Sequence, residues 1–150
     1  MKTKIFALAT ALLLSGLAAS ISYAEPPVLV TNIPFEFQIG NQTLPPGDYR
    51  VETEVTGSAK FQFLRQVDTN RVVILSTLPV ESKAEGGDPM LIFHRYGQTY
   101  FLSRIWNGTA EGRELPESNR EKEMARWEWR SELSLLLHPA TGATQLRHSA

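Results

Sequence analysis

The strongest constraint on this chain is a two-residue hydrophobic period, cut into short runs by glycine and proline. Tyr49, Val51, Thr53 and Val55 alternate with Arg50, Glu52 and Glu54, the pattern of a strand with one wet face. Ile33, Phe35, Phe37 and Ile39 alternate likewise with Pro34, Glu36, Gln38 and Gly40. Pro34 has no N–H to donate, so this stretch is expected at a sheet edge or across a bulge. Between the two runs, Pro45-Pro46-Gly47-Asp48 predicts a type II turn with Gly47 at positive φ.

The same punctuation continues. Gly57-Ser58 turns the chain into a third strand carrying Phe61, Phe63 and Leu64. Asp68 to Arg71 is a turn cluster before Val72-Val73-Ile74-Leu75, which is apolar on both faces and therefore reads as a central strand. Residues 81–89 are polar and Gly-rich, a loop. Met90 to Tyr96 and Thr99 to Trp106 form a hairpin closed by Gly97-Gln98, with His94 opposite Phe101 and Arg95 opposite Tyr100. In that register Met90, Ile92, His94, Phe101 and Ile105 share one face, while Leu91, Phe93, Tyr100, Leu102 and Trp106 share the other. Both faces need cover.

After Gly108 the character changes. Ser118 and Glu121 make a capping-box pattern behind Pro116, predicting a short helix near residues 118–128. A last strand is expected around Leu133–His138, followed by a poorly ordered end beyond Pro139. The fold class is all-β, a β-sandwich or partly open barrel of six to eight antiparallel strands with one short C-terminal helix.

The first 24 residues read as a cleavable secretory signal. Lys2 and Lys4 precede an apolar run from Ile5 to Ala19, and Ser22-Tyr23-Ala24 supplies the small residues of a cleavage site before Glu25. A spanning anchor wants about 20 apolar residues, more than this run offers. The expectation is a single domain over 25–150, secreted or periplasmic, with no stable membrane insertion after cleavage. The chain has no cysteine, which a domain of this size tolerates because its core needs no disulfide. Its 15 basic and 16 acidic residues are interspersed, so no basic footprint for nucleic acid is present.

Three stretches in order, NIPFEFQIGNQTLPPGDYRV (32–51), LIFHRYGQTYFLSRIW (91–106) and GRELPES with Arg120-Glu121 (112–121), carry a resemblance. Together they resemble an uncharacterised family of small secreted proteins of Acidobacteria-type soil bacteria. Its pattern is N-x-P-F-x-F, L-P-x-G-x-Y, F-x-R-Y-G and G-R-E-L-P. The resemblance implies an exported β-rich fold and brings no known activity. The segment after Arg126, with Trp127 and Trp129, departs from that pattern.

Chemistry is sparse in the sequence. His94 reads as a ring packed on Phe101, because no carboxylate or second histidine shares its predicted face. His138 and His148 have no metal-ligand spacing, and no metal site or cofactor is expected. Glu52 and Glu54 stand about 7 Å apart on a strand face, a spacing open to two-carboxylate chemistry but on a solvated side. Gly112 to Pro116 reads as a latch with Arg113 pairing a carboxylate. Arg95, Tyr96, Tyr100, Arg104 and Trp106 are the candidate ligand-binding set, an aromatic and basic platform suited to sugar rings, extended by Trp127 and Trp129. The competing reading places Trp106 and Trp127 where the helix docks on the sheet.

The sequence therefore points to a non-enzymatic envelope-associated binding or structural module whose partner is an envelope protein or polysaccharide. Carbohydrate recognition through the hairpin aromatics is the alternative. A minor hydrolase using Glu52, Glu54 or His94 is the third reading.

Overall fold

The turns set the strand boundaries. Gly57 at φ 62° and Gly97 at φ 55° occupy the conformation that L side chains avoid, and each opens a two-residue hairpin turn where the sequence predicts one. The computed structural model describes residues 27–81, 87–109 and 111–140. The predicted signal sequence, most of the predicted 81–89 loop and the chain end after Ala140 lie outside these residues. Among the described residues, no helix is long and apolar enough to cross a membrane.

Two antiparallel-rich sheets form a sandwich. The first runs in the order β12 (His138–Pro139), β1 (Leu29–Ile33), β4 (Gly47–Thr56), β5 (Ala59–Gln66), β6 (Val72–Leu75). The second runs β11 (Arg130–Leu136), β8 (Met90–Tyr96), β9 (Thr99–Trp106), β10 (Glu111–Glu114), β7 (Leu78–Glu81). A short pair, β2 (Phe37–Ile39) and β3 (Gln42–Leu44), joins the second sheet through one parallel contact, Gln38 beside Phe101. The all-β sandwich is thus as expected, with twelve strands among the described residues instead of six to eight. Several of the additional strands have four residues or fewer.

Alternation fills the space between the sheets. Ile33, Tyr49, Val51, Leu64, Val73 and Leu75 from the first sheet meet Phe37, Leu44, Leu91, Phe93, Leu102 and Ile105 from the second. Phe37 sets its ring edge-on to Tyr49, 5.3 Å between centroids, and edge-on to Phe93 at 5.6 Å. Such aromatic pairs add about 0.5–1.5 kcal/mol beyond area burial. At one end, the Lys60 ammonium donates to the Glu111 carboxylate across 2.8 Å, tying β5 to β10. That contact holds the Glu111 carboxyl below its ordinary range.

Three local expectations are corrected. The run through Pro34 is neither an edge nor a bulge. β1 ends at Ile33 in one sheet and β2 begins at Phe37 in the other, so the missing N–H of Pro34 falls where the chain changes sheets. Gly47 has the expected positive φ, 154°, but belongs to β4 opposite Ile33 and not to a type II turn. β6 is not central. Among the described residues it pairs only with β5, leaving Val72 and Ile74 40% and 70% exposed on its outer side while Val73 and Leu75 are buried.

Candidate functional site

The candidate site grows from a defect in the central hairpin. Down β8 and β9 the register is Tyr96 with Thr99, His94 with Phe101, and Phe93 with Leu102, as predicted. Ile92 then faces Arg104, so Ser103 has no partner and β9 carries a bulge there. A bulge reverses the facing of everything beyond it. Ile105 lies opposite Leu91 in the core, and Trp106 lies opposite Met90 on the outer face, the reverse of the expected assignment.

The same bulge turns Ser103 toward His94. Ser103 Oγ lies 3.0 Å from His94 Nε2, and Glu121 Oε1 lies 2.7 Å from His94 Nδ1. Glu132, on β11 directly opposite His94, places a carboxylate oxygen 3.7 Å from Nε2. The expectation that no carboxylate shares the His94 face is overturned, because both carboxylates arrive from distant segments. With Glu121 ionised, the arrangement satisfies every atom when Nδ1–H donates to Glu121 and Nε2 accepts from the Ser103 hydroxyl.

Glu121 is delivered by α1 (Asn119–Met124), which begins where Ser118 caps it. The Ser118 hydroxyl accepts the Glu121 N–H at 3.1 Å, as the Ser-x-x-Glu pattern predicts. The helix ends at Met124, well short of residue 128, in a turn where Trp127 N–H and Glu128 N–H both donate to the Met124 carbonyl. Just before the helix, the Leu115 N–H donates to the Ser103 carbonyl at 2.8 Å, which holds the bulge against the helix approach.

Ser103, His94 and Glu121 have the order of a nucleophile, a base and its orienting acid. Their burial decides otherwise. Ser103 is 2% exposed and His94 and Glu121 are each 4% exposed. An attacked carbon must come within about 3–3.5 Å of the nucleophile, and a hydroxyl this enclosed offers no such approach. The chain of contacts is a staple between helix and sheet.

Beside the staple stands a second group of donors. Glu117, half-buried, brings a carboxylate oxygen to His94 and Glu121, and the three donor atoms lie within 4.8 Å of one another. The Glu117 carboxylate also accepts from Arg130 Nη1 at 2.8 Å. Tyr96 is fully buried, and its hydroxyl makes no close hydrogen bond among the described residues, although the Arg130 guanidinium lies beside it. Burial pushes the Tyr96 phenol above its ordinary range. The Glu121 carboxylate pushes it further, and the Arg130 guanidinium opposes both.

The sequence-predicted platform residues divide between the two faces of the hairpin. On the outer face, Tyr96 is buried edge-on to Phe101, Trp106 lies over Gly112, and Arg104 sits between Glu114 and Glu132, 3.8 Å from each. On the inner side, Tyr100 stacks on Phe35 with centroids 4.0 Å apart, and the Arg95 guanidinium covers the Tyr100 ring at 5.6 Å. Trp127 and Trp129 are elsewhere again, 84% and 91% exposed. Trp129 walls a shallow cleft of about 420 Å³ with Glu117, Ala125, Glu128 and Arg130. Arg113 makes no ion pair among the described residues, and the carboxylate beside it, Glu111, is held by Lys60. Glu52 is gripped by Arg65 through two hydrogen bonds of 3.0 and 3.1 Å, which occupies the carboxylate that hydrolysis would need.

No family model, curated protein or solved structure matches the chain.

Proposed function

We propose that the protein is a non-enzymatic binding module of the bacterial cell envelope, secreted or periplasmic, that holds saccharide against the Trp127–Trp129 segment. The carrying observation is the near-complete exposure of these two tryptophans. Indole is ordinarily well buried, and exposing two rings to water is unfavourable unless something covers them. A sugar suits the surroundings. Its C–H face packs on indole, while its hydroxyls meet the mixed donors and acceptors of Glu117, Glu128 and Arg130 along the same cleft. The sealed Ser103 and the clamped Glu52 support the non-enzymatic part of the reading.

The test is thermal unfolding against oligosaccharides and cell-wall fragments. A ligand at a hundred times its dissociation constant stabilises the fold by about 2.7 kcal/mol. Trp129→Ala should abolish that shift without lowering the unliganded midpoint, because the ring is outside the core. Retention of the shift in Trp129→Ala, or no shift with any saccharide, overturns the reading.

A second reading rests on β6. Among the described residues this strand is hydrogen-bonded on one side only, and its Ile74 stands opposite Phe63 with Phe61 and Val72 near them on the outer face. A free edge beside an apolar patch accepts an extended segment of a protein partner. In-situ cross-linking placed at Phe61 and lost on Ile74→Lys would favour it.

A further inference from the structure

We propose that His94, Glu117 and Glu121 form a binding site for a first-row divalent metal, with zinc as the best match. The site shares Glu117 with the saccharide cleft but rests on different observations. The donors come from β8 and from the segment that leads into α1 and its first turn, and their ligand atoms fall within 4.8 Å of one another. One imidazole with two carboxylates is a donor set for zinc, iron or nickel. Calcium and magnesium prefer oxygen alone.

A second, independent feature points to the same spot. Tyr96 is fully buried, yet its hydroxyl makes no close hydrogen bond among the described residues, with the Arg130 guanidinium beside it. Tyr96 shares the outer face of β8 with His94, two residues along the strand, with Arg130 opposite it in the ladder. Leaving a hydroxyl unsatisfied in the interior costs about 1–3 kcal/mol. A metal held by the two carboxylates, with its water or the phenol oxygen as a fourth donor, gives that group a partner.

The required movement is small. Donors around a tetrahedral zinc with bonds near 2.0–2.2 Å stand roughly 3.3 Å apart. His94 Nδ1 and Glu121 Oε1, now 2.7 Å apart, need only separate by about half an ångström to admit the ion. The Nδ1 proton passes to Nε2, where Ser103 Oγ at 3.0 Å and Glu132 at 3.7 Å can accept it. A metal-bound imidazole commonly has its other nitrogen held this way. Arg130 is the competitor. It pairs with Glu117 at 2.8 Å and must release that carboxylate for the metal to bind.

The experiment is calorimetric titration of zinc into chelator-treated protein. One ion per chain is expected. Glu117→Gln removes a donor that is not deeply buried and should weaken binding at least about tenfold while leaving the metal-free unfolding midpoint in place. Arg130→Ala should tighten binding, since it removes the competing cation. The double change His138→Ala with His148→Ala should leave binding intact. Absence of saturable binding, undiminished affinity in Glu117→Gln, weaker affinity in Arg130→Ala, or loss of binding with the two C-terminal histidines overturns the proposal.

Discussion

His94 Nδ1 stands 2.7 Å from Glu121 Oε1, joining two buried side chains that are 27 residues apart in the chain. The contact explains how a six-residue helix persists at all. Isolated helices of fewer than about 12 residues do not hold in water. α1 is kept by its Ser118 cap at one end and by Glu121 seated over the hairpin.

Glu121→Ala should therefore destabilise the protein by about 1.5–3 kcal/mol, the range for a hydrogen bond to a charged group. Ser118→Ala should cost about 1 kcal/mol alone. It should cost less in the Glu121→Ala background, where the helix has already lost its seat. Urea unfolding of the four proteins checks both the magnitudes and the coupling. Equal cost of Ser118→Ala in both backgrounds would show that cap and seat act separately.

Gly112→Ala should be poorly tolerated although alanine is the smallest change available. A methyl group there would overlap the Trp106 ring at Cζ3 and Cε3 and press on Val80 Cγ1 at 3.1 Å. Trp106 sits opposite Gly112 in the β9–β10 ladder, so its ring must move for the methyl to fit. Overpacking of this kind costs about 1–3 kcal/mol. Urea unfolding followed by tryptophan fluorescence measures it.

Stability should fall in alkali. Burial holds the phenols of Tyr49 and Tyr96 above their ordinary range. Above about pH 10 the unfolded chain releases these protons while the folded chain keeps them. The folded state then binds more protons, so unfolding becomes easier as pH rises. Ultraviolet titration should show two phenols that ionise late, together with unfolding. Ionisation of every tyrosine at the ordinary pH, ahead of unfolding, would contradict this.

Tyr96→Phe should stabilise the metal-free protein by about 1 kcal/mol, because it deletes a buried hydroxyl that makes no close hydrogen bond among the described residues and keeps the ring that packs on Phe101. Thermal unfolding at neutral pH gives the sign. Destabilisation would mean that the hydroxyl is satisfied in solution.

Much of the architecture is legible from period and punctuation, since both depend on neighbours in sequence. The 49–55 strand, the Gly97-Gln98 hairpin and the Ser118 cap all follow from residues within a few positions of one another. The failures share a different cause. Nothing local announces that Ser103 is the extra residue of a bulge, so the unbroken period places Ile105 and Trp106 on each other's faces. The apolar quartet Val72–Leu75 looks central because composition does not reveal which side of a strand lacks a neighbour. The carboxylates around His94 come from Glu117, Glu121 and Glu132, and no spacing rule ties such distant positions to one histidine. The usable signal was the apolar richness of both hairpin faces, which required cover on each, and Glu121 is part of that cover.

The second sheet is covered twice, by the first sheet on its inner face and by the helical segment on its outer face. Removing the second cover leaves the first intact, so the molecule contains a small unit able to open by itself. In hydrogen-exchange language, the amides of α1 and the Leu115 N–H bonded to Ser103 report a subglobal opening, while the amides in the β8–β9 ladder exchange only through global unfolding. Anything that grips Glu117, Glu121 or Trp129 would then be felt as a slowing of the first class alone.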